Sequence, residues 1–179
     1  MKKETIVAYV LRLTVTLLLI TGIVAAALAG VNAITKDAIA ANQEKKTQDA
    51  LAVVLPGVQG LSKQAVAADA GIVSEVYASG NHYAVKVLPG GFDGEITMMV
   101  GISEGKVTGI SVISHTETPG LGAVAAADSA KGEAFRSQFA GGDEFTVGGN
   151  VDAISGATIT SKAVTTGVNA AVDFVENLG

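Results

Sequence analysis

Three patterns of apolar and polar residues follow one another along this chain. The first is an unbroken apolar run: no residue from Leu13 to Thr35 carries a charge. That matches the ~20 residues a helix needs to cross a ~30 Å hydrocarbon core. The second has a helical period. Ala38 to Val54 is rich in alanine, with Gln43, Glu44, Lys45 and Lys46 on a wet side and Ile39, Ala50, Leu51 and Val54 forming a thin apolar stripe. It predicts a stalk that continues the apolar helix until Pro56-Gly57 stops it. Gly60 to Gly71 is small and polar and predicts only a connection.

The third pattern has a period of two. Ile72–Ser79 and His82–Leu88 flank Gly80-Asn81, a hairpin turn pair. Glu95–Ile102 and Val107–Ser114 flank Glu104-Gly105-Lys106. Val107, Ile110, Val112 and Ile113 do not alternate, which predicts either a strand buried on both faces or a bulge at Gly109. Four such runs predict an antiparallel meander packed by flanking helices, an α+β layer rather than a parallel doubly wound sheet. Downstream, Ala125 to Phe139 predicts a helix plus loop carrying Phe135 and Phe139, and Glu144 to Val147 a short strand. A final helix, capped by Thr160 or Ser161, runs through Leu178, with Val164, Val168, Ala171, Val172, Val175 and Leu178 on one face.

Composition narrows the function. The 179 residues include 12 Lys+Arg against 17 Asp+Glu, no cysteine and two histidines, His82 and His115. Disulfides, thiolate metal sites and iron–sulfur ligation are thereby excluded, and a histidine-rich metal site is disfavoured. A net charge of −5 with 4% aromatics argues against a nucleic-acid surface. Lys2, Lys3 and Arg12 precede the apolar run, while the charges after it nearly cancel. The positive-inside rule then keeps the N-terminus in the cytoplasm. Ala27-Leu28-Ala29 before Gly30 offers a cleavable leader as the competing reading. The length of the run, continuing through Val31 and Ile34, favours an anchor. Both readings put residues 37–179 outside the cytoplasm.

Two segments carry candidate chemistry. Asp152-Ala153-Ile154-Ser155-Gly156-Ala157-Thr158 precedes the last predicted helix. On ordinary grounds it is a strand-to-helix turn in which hydroxyls compete to cap. Capping does not explain why Gly156-Ala157 precede Thr158, or why Asp152 lies six residues upstream. Small neighbours leave the Thr158 hydroxyl open, and the helix N-terminus and Lys162 can face a phosphodiester. The second segment, Ser114 to Gly122, reads on its own as a loop with a turn at Pro119-Gly120. Phe92, in the glycine-rich stretch from Pro89 to Glu95, is expected in the core rather than in a pocket wall. No Gly-x-Gly-x-x-Gly follows a strand, so a nicotinamide fingerprint is lacking.

The Asp152 to Thr158 string closely resembles the flavinylation motif of the covalent FMN-binding domain family, and Glu117-Thr118-Pro119-Gly120-Leu121-Gly122 resembles that family's second signature. With the apolar leader and stalk, nearly the whole chain resembles the G subunit of the Rnf electron-transport complex. The homologous C subunit of the sodium-pumping NADH:quinone reductase shares both signatures but carries larger insertions. The resemblance implies FMN esterified through its phosphate to Thr158, with Asp152, Ser155, Gly156 and Ala157 recognised by a flavin transferase. It further implies that Glu117 and Thr118 bond the cofactor, that Leu121 covers its ring, and that Gly122, Gly156, Ala157 and Lys162 complete the site. His115 either faces the cofactor or bonds to backbone.

The layout expected is a cytoplasmic segment 1–12, a transmembrane helix 13–35, a stalk and connection 36–70, and an extracytoplasmic FMN-binding domain 71–179. The implied role is an electron-carrier subunit of a membrane-bound ion-translocating ferredoxin:NAD oxidoreductase, not catalytic alone and partnered by integral-membrane and redox subunits. A stand-alone extracytoplasmic flavoreductase and a non-redox scaffold are the other function classes considered.

Overall fold

The computed structural model describes residues 3–66 and 70–178. Lys2 and residues 67–69 of the expected connection lie outside the described residues. The chain divides into two compact units, residues 1–45 and 46–179.

In the first unit the structure is helix throughout the described residues, the opening part of α1 (Lys3–Val54). The runs Leu13–Thr35 and Ala38–Val54 belong to this single helix, the second continuing the first as expected. Consecutive Leu17, Leu18, Leu19 and Ile20 are all exposed, so the helix has no distinct wet and dry sides here. Such a surface suits hydrocarbon rather than water. Four of its threonine hydroxyls are satisfied within the helix: Thr14, Thr16, Thr21 and Thr35 each donate to the carbonyl four residues earlier, at 2.8–2.9 Å. Back-bonding of this kind satisfies a polar side chain without an outside partner. This is one helix long and apolar enough to cross a membrane.

The second unit begins with the last turns of α1 and is built on a five-stranded antiparallel meander in the order β1-β2-β3-β4-β5. The strands are β1 (Ser62–Gln64), β2 (Val73–Ser79), β3 (His82–Val87), β4 (Thr97–Ser103) and β5 (Lys106–Ser114). Four of them match the four period-two runs. The edge strand β1 was not expected, because its three residues are polar and exposed and give no periodic signal. The β2–β3 turn is Gly80-Asn81 as expected. The β4–β5 turn contracts to Glu104-Gly105, both with positive φ (53° and 78°), as a two-residue hairpin loop requires.

The irregular alternation in β5 has a physical cause. Ile102 pairs with Val107 and Gly101 with Gly109, so Thr108 is the extra residue of a bulge. The bulge lets Val107 and Ile110, three apart, point to the same face. That face carries the main core. The cross-strand row Val76–Val85–Val100–Ile110 packs under α2 (Ala130–Ser137) and α3 (Thr158–Glu176) through Phe135, Phe139, Val164, Val168 and Val172. The opposite face holds a smaller cluster in which Ala50, Leu51, Val54 and Leu55 meet Tyr77, Ala84 and Met99.

Three expectations change. The helix plus loop expected over Ala125–Phe139 resolves into a 3₁₀ turn (Gly122–Ala125), a loop and the short α2, which Ser129 caps by accepting from Gly132 N at 3.2 Å. Glu144–Val147 forms no strand beyond a single parallel bridge, Val147 to Val151. Phe145 is instead held in the core by Asn169, which bonds both its N–H (3.1 Å) and its carbonyl (2.8 Å). Finally, neither Thr160 nor Ser161 caps α3; the cap position falls to Ala157, which offers no side-chain acceptor.

Candidate functional site

The site is assembled where three segments meet at the N-terminus of α3. Gly156 makes the turn with φ 78°, a conformation that costs glycine little. Thr158 is thereby the first residue of α3, with its side chain exposed. The first intrahelical bond here runs from Ser161 N to Ala157 O at 3.0 Å. The N–H groups of Thr158, Ile159 and Thr160 precede it, and no capping side chain takes them up. This is the arrangement in which a helix end receives an anion. Ser161 is used otherwise: its hydroxyl accepts from Ile154 N (3.0 Å) and donates to Ala157 O (2.9 Å), fixing the turn from inside.

Glu117 joins the other two segments to this turn. It is only 4% exposed. Oε1 accepts from the backbone N–H groups of Phe92 (2.8 Å) and Asp93 (3.2 Å), and Oε2 accepts a short bond from the Thr160 hydroxyl. Thr116 adds a short bond to the carbonyl of Asp93. A side chain at Gly91 or Gly122 would fall on the Glu117 carboxylate, which is why both close approaches use glycine. At the far side a Cβ on Gly156 would sit 3.1 Å from Leu121 Cδ2, so the two signature segments pack directly against each other.

Between them lies a cleft of about 300 Å³ lined by Phe92, Glu117, Thr118, Leu121, Gly122 and Gly156 through Thr160. Phe92 (67% exposed), Leu121 (44%) and Ile159 (54%) present large apolar surfaces around it. A flat aromatic ring bearing a phosphate fits this chemistry: apolar side chains for the ring, unsatisfied helix N–H groups for the phosphate.

Of the residues singled out from sequence, Glu117, Thr118, Leu121, Gly122, Gly156, Ala157 and Thr158 come together at this cleft. Asp152 and Ser155 do not join its lining. They line a second cleft of about 500 Å³ with Gly120, Lys131, Phe135 and Gln138. Lys162 lines a third with Pro89, Gly90 and Ile159, one helical turn beyond Thr158. His115 has its Nδ1 buried without a hydrogen-bond partner among the described residues.

Phe92 proves to be wall rather than core. Sequence reasoning missed Ile159, Thr160 and Gln138. The Gln138 amide brackets Asp152, accepting from its N–H (2.7 Å) and donating to its carbonyl (3.3 Å). Thr160 lies two residues beyond Thr158, close enough to have raised suspicion. Nothing local marks Gln138.

Residues 91–173 match the family model of the FMN-binding domain, and residues 1–54 match that of the RnfG N-terminal region. Among curated proteins the chain is similar to the G subunit of the Na⁺-translocating ferredoxin:NAD⁺ oxidoreductase complex of Acetobacterium woodii, 33% identical over 94% of this chain and 93% of that one. It is 33% identical to the G subunit of the ion-translocating oxidoreductase complex of Methanosarcina acetivorans, over 92% of this chain and 93% of the relative. It is 45% identical to the G subunit of the proton-translocating ferredoxin:NAD⁺ oxidoreductase complex of Clostridium ljungdahlii, over 52% of each chain.

Proposed function

The chain belongs to the family of Rnf complex G subunits, and from that premise we propose that it relays electrons through an FMN esterified to Thr158. It is an electron-transfer subunit of an ion-translocating oxidoreductase and carries that family's FMN-binding domain. FMN supplies one- and two-electron redox chemistry when bound. Thr158 is its tether rather than a catalytic nucleophile. The observation that carries this reading is the exposed Thr158 on an uncapped helix N-terminus, at the lip of an apolar cleft that both signature segments build.

Attachment requires a flavin donor with a phosphoanhydride, because free FMN offers no leaving group at phosphorus. Thr158 Oγ forms the new P–O bond, the anhydride P–O bond breaks with its nucleotide, and the hydroxyl proton passes to a base of the transferase. Asp152 and Ser155, turned to the second cleft, serve that enzyme's recognition rather than the ring. The uncapped N–H groups of Thr158 and Ile159 would hold the diester, with Lys162 one turn along the same helix as a cation. Leu121, Phe92 and Ile159 would supply the apolar walls for the ring. Glu117 and Thr118 supply the polar groups of the cleft.

The apolar helix anchors the subunit among the integral-membrane and redox subunits of the complex and raises their effective concentration. Residues 1–12 lie in the cytoplasm, 13–35 span the membrane, 36–70 connect, and 71–179 carry the flavin outside. A cofactor released on that side would be diluted beyond recovery by mass action, and a covalent bond removes the loss. Thr158→Val, expressed beside the transferase, should remove the flavin adduct from the intact mass of the detergent-purified protein. An adduct of FMN mass retained in that variant would overturn the assignment.

A further inference from the structure

We propose that Glu117, besides clamping the cleft together, is the charge that sets how readily its cofactor takes an electron. This rests on the FMN reading above and adds to it. Among the described residues lining the cleft, Glu117 alone has an ionisable side chain; the rest are apolar, glycine or threonine. No lysine, arginine or histidine lines it to offset a negative charge arriving on the ring.

All three bonds to the Glu117 carboxyl are donated to it, by Phe92 N–H, Asp93 N–H and the Thr160 hydroxyl. That is the pattern of a carboxylate, which accepts only. Thr160 lies in the first turn of α3, so the helix N-terminus also favours the charge where it is. Those donors hold a negative charge in place without cancelling it. In a partly desolvated cleft, like charges repel more strongly than in water. Glu117 therefore opposes reduction of a ring beside it, and holds the potential lower than the same cleft would without the charge.

The substitution that separates charge from shape is Glu117→Gln. Its amide carbonyl can still accept from Phe92 and Asp93, and its NH₂ can donate to the Thr160 oxygen, so the clamp persists while the charge goes. Thr160→Val does the reverse: it strips the hydroxyl donor from Oε2 and leaves the charge less compensated.

The test is a redox titration of full-length protein, loaded beside the transferase and purified in detergent. Glu117→Gln should move the midpoint positive by about a tenfold change in a one-electron equilibrium, about 59 mV. Thr160→Val should move it negative. A residue that only builds the site would not give shifts of opposite sign. A loaded Glu117→Gln protein with the wild-type midpoint overturns the proposal. If that variant does not load, an unmoved or raised midpoint in Thr160→Val overturns it, and so does failure of both variants to load beside a loaded wild type. Wild-type protein without flavin would sink the FMN reading itself, which keeps the two failures apart.

Discussion

The two faces of one sheet do different work by different means. The face under α2 and α3 is filled by large side chains: Phe135, Phe139 and Phe145 interlock, with ring centroids 5.5 Å and 5.1 Å apart, above a row of valines and isoleucines. The face under the last turns of α1 carries a smaller side-chain cluster and, at one point, a close backbone approach. Gly101 pairs with Gly109 across β4 and β5, and the carbonyl of Val54 comes down beside Gly101 to accept from Thr108 Oγ1 at 2.5 Å. The first face supports the N-terminus of α3, and therefore the cleft, on a thick core. The second seats a helix end on a smaller cluster and a glycine pair. Stability and site geometry should then be separable by face.

The largest effect is expected on the helical face. Phe139 is fully buried and touches both neighbouring aromatics. Phe139→Ala should cost about 3–5 kcal/mol, as large aromatic truncations do, read as a lowered thermal midpoint of the full chain in detergent. Flavin loading should fall with it, because α2 positions Gln138 and thus Asp152. A variant with near wild-type stability would mean that this core can collapse around the missing ring.

Gly101→Ala tests the other face, with a smaller effect. The added methyl would meet the carbonyl of Val54 and the Thr108 hydroxyl, and overpacking against backbone costs about 1–3 kcal/mol. The thermal midpoint should drop while flavin stays covalently attached in stoichiometric amount. Loss of loading in this variant, at a temperature where it remains folded, would break the separation between the faces.

What the sequence disclosed follows the same division. Apolar runs bounded by turn residues marked β2 to β5, and the imperfect alternation in β5 left a bulge at Gly109 as one of two readings; the extra residue is its neighbour Thr108. The two signature loops were legible as strings, since their glycines and hydroxyls are dictated by close approach around Glu117. Their division of labour was not. Asp152 and Ser155 turn away from the cleft because the chain reverses at Gly156, and no spacing rule states which side of a turn a residue will face. Thr160 and Ser161 looked like caps because hydroxyls near a helix start usually are. Here tertiary bonds to Glu117 and Ile154 claimed them, leaving the cap position to Ala157. The edge strand β1 and the Gln138 bracket were invisible, since both depend on partners distant in sequence.

The smallest effect sharpens the back face further. Glu75 on β2 accepts from Lys63 Nζ (2.7 Å), from Tyr77 Oη (2.9 Å) and from Lys86 Nζ at 3.4 Å. Burial alone would raise its carboxyl, but the bonds from Lys63 and Tyr77 and the positive charges of Lys86 and Lys63 outweigh it, and the group sits below its ordinary value. A depressed carboxyl contributes stability above the unfolded value of about 4.3, and that contribution is lost as pH falls through the lower folded value. Partly exposed ion pairs of this kind contribute roughly 0.2–1 kcal/mol. Glu75→Gln should therefore be less stable than wild type at neutral pH by about that amount, and the gap should close on acidification below about pH 4.3. The cluster ties edge strand β1 to β2 and β3, so the loss should appear as faster hydrogen exchange in β1 with the cleft untouched. A gap that stays constant down to acid pH would show that the side chain acts by packing, and that charge plays no part on this face.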